Sequence, residues 1–95
     1  MDELRDVVAP IATKHNIVKV CLFGSRARGD NDDDSDFDFY ITAHEGCSAV
    51  VLGSFLCDLR DALGSEVDVI REGNRSLNPS ILEEISRDKK TLFEA

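Results

Sequence analysis

Residues 17–41 read IVKVCLFGSRARGDNDDDSDFDFYI, and the fold turns on how that stretch is parsed. Ile17–Phe23 is apolar at nearly every position, the pattern of a strand covered on both faces. It runs into Gly24-Ser25. Glycine lets the backbone turn tightly and approach a ligand closely, and Ser25 then opens a short turn or helix through Arg26-Ala27-Arg28. Backbone N–H groups without partners at such a start, together with a serine hydroxyl, form a place for an anion. From Asp36 to Thr42 the pattern becomes alternating. Asp36, Asp38 and Tyr40 fall on one face of a strand, and Phe37, Phe39 and Ile41 on the other. Carboxylates at i and i+2 lie about 6.5–7 Å apart at Cα, so their oxygens can converge on one hard cation or bridge two. An anion site beside a divalent-cation site is the equipment of phosphoryl or nucleotidyl transfer.

Taken singly, a Gly-Ser pair after a strand is a turn, and an Asp-x-Asp is a solvated pair. Their order and spacing make the stronger reading, because carboxylates set among apolar strand residues repel one another unless a cation neutralises them. Competing motifs fit less well. Gly24 and Gly29 have the spacing of a P-loop, but Asp30 stands where lysine is required. An EF-hand started at Asp34 meets Phe39 where the loop needs glycine.

Gly24-Ser25, ten residues, then Asp36-x-Asp38 matches the GS-x10-DxD pattern of the DNA polymerase β-like nucleotidyltransferase superfamily. The flanking LFGSRARGD and SDFD resemble its smallest branch, the minimal nucleotidyltransferases (MNT), over nearly the whole chain. The resemblance implies an α/β (α+β) nucleotidyltransferase fold with a small mixed sheet backed by helices. It implies that Gly24 and Ser25 hold nucleotide phosphates; Arg26 and Arg28 are expected as further phosphate contacts, with pairing to the acidic loop as the alternative for one of them. It makes Asp36 and Asp38 catalytic ligands of Mg²⁺ in a two-metal site, with ATP as the expected donor. The family also places a third carboxylate on the strand after the long helix, where Asp68 is the matching position; otherwise Asp68 is a solvated strand-edge residue. Members of this branch are paired with a HEPN-type helical protein in toxin–antitoxin modules. The chain is therefore expected to be an antitoxin that transfers AMP to a hydroxyl of its partner. The alternatives are a non-catalytic binding module, or partner-assisted transfer to a small molecule.

Composition bounds these expectations. Residues 1–95 are expected to form one domain, with no room for a separate acceptor-binding domain. The formal net charge is −8, and six acidic residues lie between Asp30 and Asp38. No basic stripe suited to a phosphate backbone appears, which argues against nucleic acid as a partner. With no membrane-spanning run and no signal peptide, a cytoplasmic location is expected. Cys21, Cys47 and Cys57 lack metal-ligand spacing and are read as reduced and structural, with Cys57 near a helix's apolar face. His15 and His44 are expected on the surface.

The rest of the chain reads in order α-β-(short α)-β-α-β-α. A helix over residues 2–15 presents Leu4, Val7, Val8 and Ile11, and Pro10 is expected to kink or divide it near Ala9. Asp32, Asp33 and Asp34 are read as a solvated loop, with extra metal ligation as the alternative, and Ser35 stands where it could orient Asp36. A helix over 47–63 carries Leu52, Phe55, Leu56, Leu59, Ala62 and Leu63 on one face and ends at Gly64. Glu66–Ile70 reads as a short strand and Arg71–Leu77 as a polar loop. Asn78-Pro79 starts a helix whose apolar face is Ile81, Leu82 and Ile85. Thr91-Leu92-Phe93 is expected to be a short extended piece packing back on the domain. A hetero-oligomer is implied by the partner, and a homo-oligomer stays open.

Overall fold

The computed structural model describes residues 2–73 and 78–95; Met1 and residues 74–77, the end of the expected polar loop, lie outside the described residues. The elements run α1 (Asp2–Lys14), β1 (Ile17–Phe23), α2 (Ser25–Arg28), β2 (Phe37–Ala43), α3 (Ala49–Leu63), β3 (Val67–Arg71), α4 (Pro79–Asp88) and β4 (Lys90–Glu94). The four strands form one mixed sheet in the order β3-β2-β1-β4. β1 is antiparallel to both β2 and β4, whereas β3 runs parallel to β2. A parallel neighbour needs a crossover rather than a hairpin, and α3 is that crossover.

The core lies between the sheet and α1 and α3. Val20, Leu22, Phe39 and Ile41 from the central strands meet Val8 and Ala12 of α1 and Phe55 and Leu59 of α3, all of them buried. Each of these side chains except that of Ala12 contributes about 1.5–3 kcal/mol by leaving water. Phe37 and Phe39 stack on this side of β2, with rings 6.1 Å apart and nearly parallel. The alternation expected for β2 therefore separates the two faces: aromatic residues towards the helices, and Asp38 and Tyr40 towards the opposite face.

Several expectations change. α1 runs unbroken through Pro10. Pro10 and Asp6 are both exposed, so water can satisfy the carbonyl that proline leaves without a donor. Its buried face is centred on Val8 and Ala12 rather than on Val7. His15 is not a surface residue. Its ring is 12% exposed, bonds Asp58 on α3 at 2.7 Å, and meets the Phe55 ring edge-on. The two partners lie 43 residues apart in sequence, so local pattern carries no trace of them. Cys57, Ala62 and Leu82 lie outside the apolar faces assigned to them and are exposed. The last extended piece is a full edge strand, β4, beside β1.

α3 starts two residues later than its apolar run suggests. Ser48 caps it, its hydroxyl accepting a hydrogen bond from the Val51 N–H at 3.2 Å. Replacing this cap with alanine leaves a donor of the first turn without its partner. Ser48→Ala is expected to cost about 1 kcal/mol, read as a lower urea midpoint at unchanged slope; no shift in midpoint would show that water replaces the cap. Asn78 caps α4 in the same way, with its side-chain oxygen accepting from Ser80 N–H and Pro79 following at the first helical position.

Candidate active site

The site is built where the parallel and antiparallel halves of the sheet meet. Phe37 N–H donates to the Glu66 carbonyl at 3.0 Å, which sets the register between β2 and β3. From there the ladder places Asp38 directly beside Asp68. Register partners share a face, and adjacent strands are about 4.8 Å apart. A slip of one residue would send Asp68 to the other face. Asp36 stands one residue before β2 and is exposed, at the edge of the acidic loop rather than inside the strand. The ladder thus sets Asp38 and Asp68 side by side, with Asp36 just outside it at the start of β2.

The Gly24-Ser25 turn closes on the same point from β1, where Phe23 is paired with Asp38. Gly24 has φ +75° and ψ −157°. A methyl at its Cα would stand 2.5 Å from Asp38 Oδ2, so the backbone is packed against the carboxylate more tightly than any other residue allows. Beyond it, α2 is one turn long, with the Gly24 carbonyl accepting from the N–H groups of Ala27 and Arg28, both at 3.1 Å. The Ser25 and Arg26 N–H groups, at the first positions of that turn, have no intrahelical acceptor. The Gly24-Ser25 turn and the Asp38 carboxylate therefore stand against each other.

Electrostatics marks Asp38 out. Its pKa is raised from 3.8 to about 6, first by burial, then by the negative charges of Asp68 and Asp36, and further by Glu84 of α4; Arg28 opposes the shift. Burial and like charge together make a carboxylate that lacks a counter-charge. Hard oxygen donors on adjacent strands suit Mg²⁺, which takes only one or two protein carboxylates and completes its shell with phosphate and water. Among the described residues no three His, Cys, Asp or Glu side chains form a ready-made metal site.

Both arginines have partners in the acidic loop, the alternative weighed for one of them. Arg26 donates through Nε and Nη2 to the Ser35 carbonyl, at 3.0 and 2.7 Å, and lies over the Phe37 ring at 3.9 Å. Phe37 faces away from Asp38, so Arg26 closes the acidic loop from the opposite side of the strand. Arg28 is held by Asp88 (2.6 Å), Asp30 (3.0 Å) and Glu84 (3.2 Å). Ser35 does not orient Asp36: its hydroxyl bonds Asp32, whose carboxylate also accepts from Asp34 N–H at 2.9 Å. Asp32 is thus engaged in shaping the loop, while Asp33 and Asp34 remain exposed.

Sequence reading missed Glu84 and Asp88. Glu84 lines a cleft of about 300 Å³ with Phe23, Asp38, Asp68, Val69, Ile70 and Ile81. A signal was present: Ile81, Glu84, Ile85 and Asp88 fall at helical spacing on one face, and carboxylates interleaved in an apolar face need partners.

The family model described as polymerase beta, nucleotidyltransferase matches residues 6–95. A Methanocaldococcus jannaschii protein assigned as a protein adenylyltransferase is 34% identical over 70 residues, covering 74% of this chain and 75% of that one. A solved structure assigned as a minimal nucleotidyltransferase superposes with a TM-score of 0.74 at 32% identity, over 90% of this chain and 86% of its own. A chain in the structure of the tri-AMPylated Shewanella oneidensis HEPN toxin with MNT antitoxin shares the fold, with a TM-score of 0.70 at 18% identity, over all of this chain and 74% of its own. Among the described residues no helix is long and apolar enough to cross a membrane.

Proposed function

The chain belongs to the polymerase beta nucleotidyltransferase family, and from that premise we propose that it transfers AMP from ATP, with Mg²⁺, to a hydroxyl on a HEPN-type helical partner and so acts as an antitoxin. The observation that carries the reading is the meeting of three elements at one point: Gly24 packed on Asp38, and Asp38 registered against Asp68. The relative assigned as a protein adenylyltransferase supports the reaction class, and the structural neighbour crystallised with an AMPylated HEPN toxin supports the kind of acceptor.

In this reading the acceptor oxygen forms a bond to the α-phosphorus, the bond from that phosphorus to the bridging oxygen breaks, and pyrophosphate leaves. Gly24 and Ser25 cradle the departing phosphates through backbone N–H groups and the serine hydroxyl. Asp36, Asp38 and Asp68 are the residues that would hold Mg²⁺, which when bound supplies charge stabilisation on the phosphates. Asp68, exposed on the strand next to Asp38, takes the proton of the acceptor hydroxyl. Arg26 and Arg28 act on the phosphates through the loop and the turn that they hold.

The test is label transfer to the protein that co-purifies with this chain. ATP labelled at the α-phosphate is compared with ATP labelled at the γ-phosphate, with and without Asp36→Asn. Transfer of α-label alone, lost in the variant, is the expected result. Transfer of γ-label would make the chain a kinase-like enzyme. A partner that binds but takes neither label would leave a binding module.

A further inference from the structure

We infer that Arg28 is a positioning residue for the phosphate cradle: gripped by Asp88 and Glu84 of α4, it sets where the Gly24-Ser25 turn stands relative to the catalytic carboxylates. The inference rests on the reading of that turn as the phosphate site.

A helix of four residues has almost no stability of its own, because nucleation costs more than one turn returns. α2 must be held by what it touches. Ala27, fully buried, is one anchor. Arg28 is the other, and its partners come from far along the chain, 56 and 60 residues away. Nη1 donates to Asp88 Oδ2 at 2.6 Å and to Glu84 Oε1 at 3.2 Å, while Nε donates to Asp30 Oδ2 at 3.0 Å. The anchor is itself fixed. The Asp88 side chain is only 4% exposed, and Arg87 donates to both of its oxygens, at 3.0 and 3.3 Å. Backbone geometry passes this hold to the cradle, since Arg28 N–H donates to the Gly24 carbonyl. Glu84 reaches the same guanidinium from the cleft that Asp38 and Asp68 line. Arg28 therefore ties the turn that carries the phosphate cradle to the helix that walls the carboxylates.

This role differs from phosphate contact in ways that kinetics can read. A group that touches phosphate contributes to nucleotide affinity, whereas a group that places the cradle contributes to alignment, and a misplacement of about 1 Å costs on the order of 100-fold in rate. It also demands a fork that meets several carboxylates at once, which a lysine cannot reproduce.

The experiment measures steady-state AMP transfer to the co-purifying partner for Arg28→Ala, Arg28→Lys, Asp88→Ala and the double variant Arg28→Ala/Asp88→Ala. We expect kcat to fall about 10- to 100-fold in each single variant, with the KM for ATP within about threefold of the parent. Arg28→Lys should not restore the rate, and the double variant should be no worse than the poorer single variant. A KM raised tenfold at unchanged kcat, rescue by lysine, or losses that multiply would each overturn the inference in favour of direct phosphate contact. Amide hydrogen exchange of residues 24–28 is expected to speed at least tenfold in Arg28→Ala, and unchanged exchange overturns the clamp whatever the enzyme does. Should Arg28→Ala or Asp88→Ala fail to fold, Arg28→Lys and the milder variant Glu84→Gln carry the comparison, and unchanged kcat in both overturns it. An inactive parent with altered exchange would instead sink the transferase reading while upholding the clamp.

Discussion

Asp38→Asn is expected to lower AMP transfer by at least about 1,000-fold while leaving the protein as stable as before, or more so. The two halves have one cause. At neutral pH the native state holds an ionised Asp38 that is partly buried and faces Asp68, Asp36 and Glu84, which raises its pKa to about 6. Ionisation at this position is disfavoured in the fold and not in the unfolded chain. Between pH 3.8 and about 6 the native protein binds a proton that the unfolded chain has released. Stability from this group is therefore complete below pH 3.8 and is lost as pH rises through 6. The loss is about 1–2 kcal/mol once solvent screening of a half-exposed carboxylate is allowed for. Melting temperatures of the metal-free parent should accordingly rise as pH is lowered from 7 towards 4, and the asparagine variant should lack that rise. Added Mg²⁺ should raise the parent's melting temperature, through binding to the native state alone, and do so less in the variant. A variant that retains transfer would remove Asp38 from the chemistry. One that melts well below the parent at pH 7 would show that the carboxylate is structural.

Gly24→Ala is the second large effect, a loss of transfer of about 100-fold or more together with destabilisation of about 1–3 kcal/mol. Two independent penalties meet in one atom. The backbone at φ +75°, ψ −157° is outside the regions open to an L-residue with a side chain. The added methyl would also fall 2.5 Å from Asp38 Oδ2, so either the carboxylate or the turn must move. Gly29→Ala separates the two. Gly29 also has positive φ, +86°, but nothing lies within 4 Å of where its methyl would stand. It carries the backbone penalty alone, about 1–2 kcal/mol, and should keep transfer within severalfold of the parent. Equal losses of activity in the two variants would show that backbone strain, and not the displacement of Asp38, is what matters at Gly24.

Much of this architecture was legible because its signals are local. The apolar run of β1, the alternation through Phe37–Thr42, the stripe of α3 ending at Gly64 and the Asn78-Pro79 start of α4 are each written within a few residues of where they act. Asp68 was reachable only through family resemblance, since Val67–Arg71 by itself does not say which strand it will pair with. The exceptions share a reason as well. Pro10 reads as a break, yet its solvent-facing position makes the lost hydrogen bond cheap, and exposure is not a property of the dipeptide. His15 and Asp58 read as two unrelated polar residues until α1 and α3 pack. Arg26 and Arg28 read as cations next to an anion site, with the acidic loop as the alternative partner of one; both reach that loop, but the Phe37 ring under Arg26 and the carboxylates of a distant helix on Arg28 are not legible locally.

Sequence alone determined most of the elements and the residue types each carries: a Gly-Ser turn after the first strand, an Asp-x-Asp at the start of the second, and, through family resemblance, an aspartate on a later strand. Periodicity, turn residues and caps act over a few residues, so that information is contained in short windows. Which groups meet was decided by the tertiary structure. The parallel register of β2 and β3 set Asp38 beside Asp68, the close approach of β1's turn set Gly24 on Asp38, and α4 supplied the carboxylates that hold Arg28. Contacts between residues tens of positions apart depend on how whole elements pack, and no local pattern encodes that geometry.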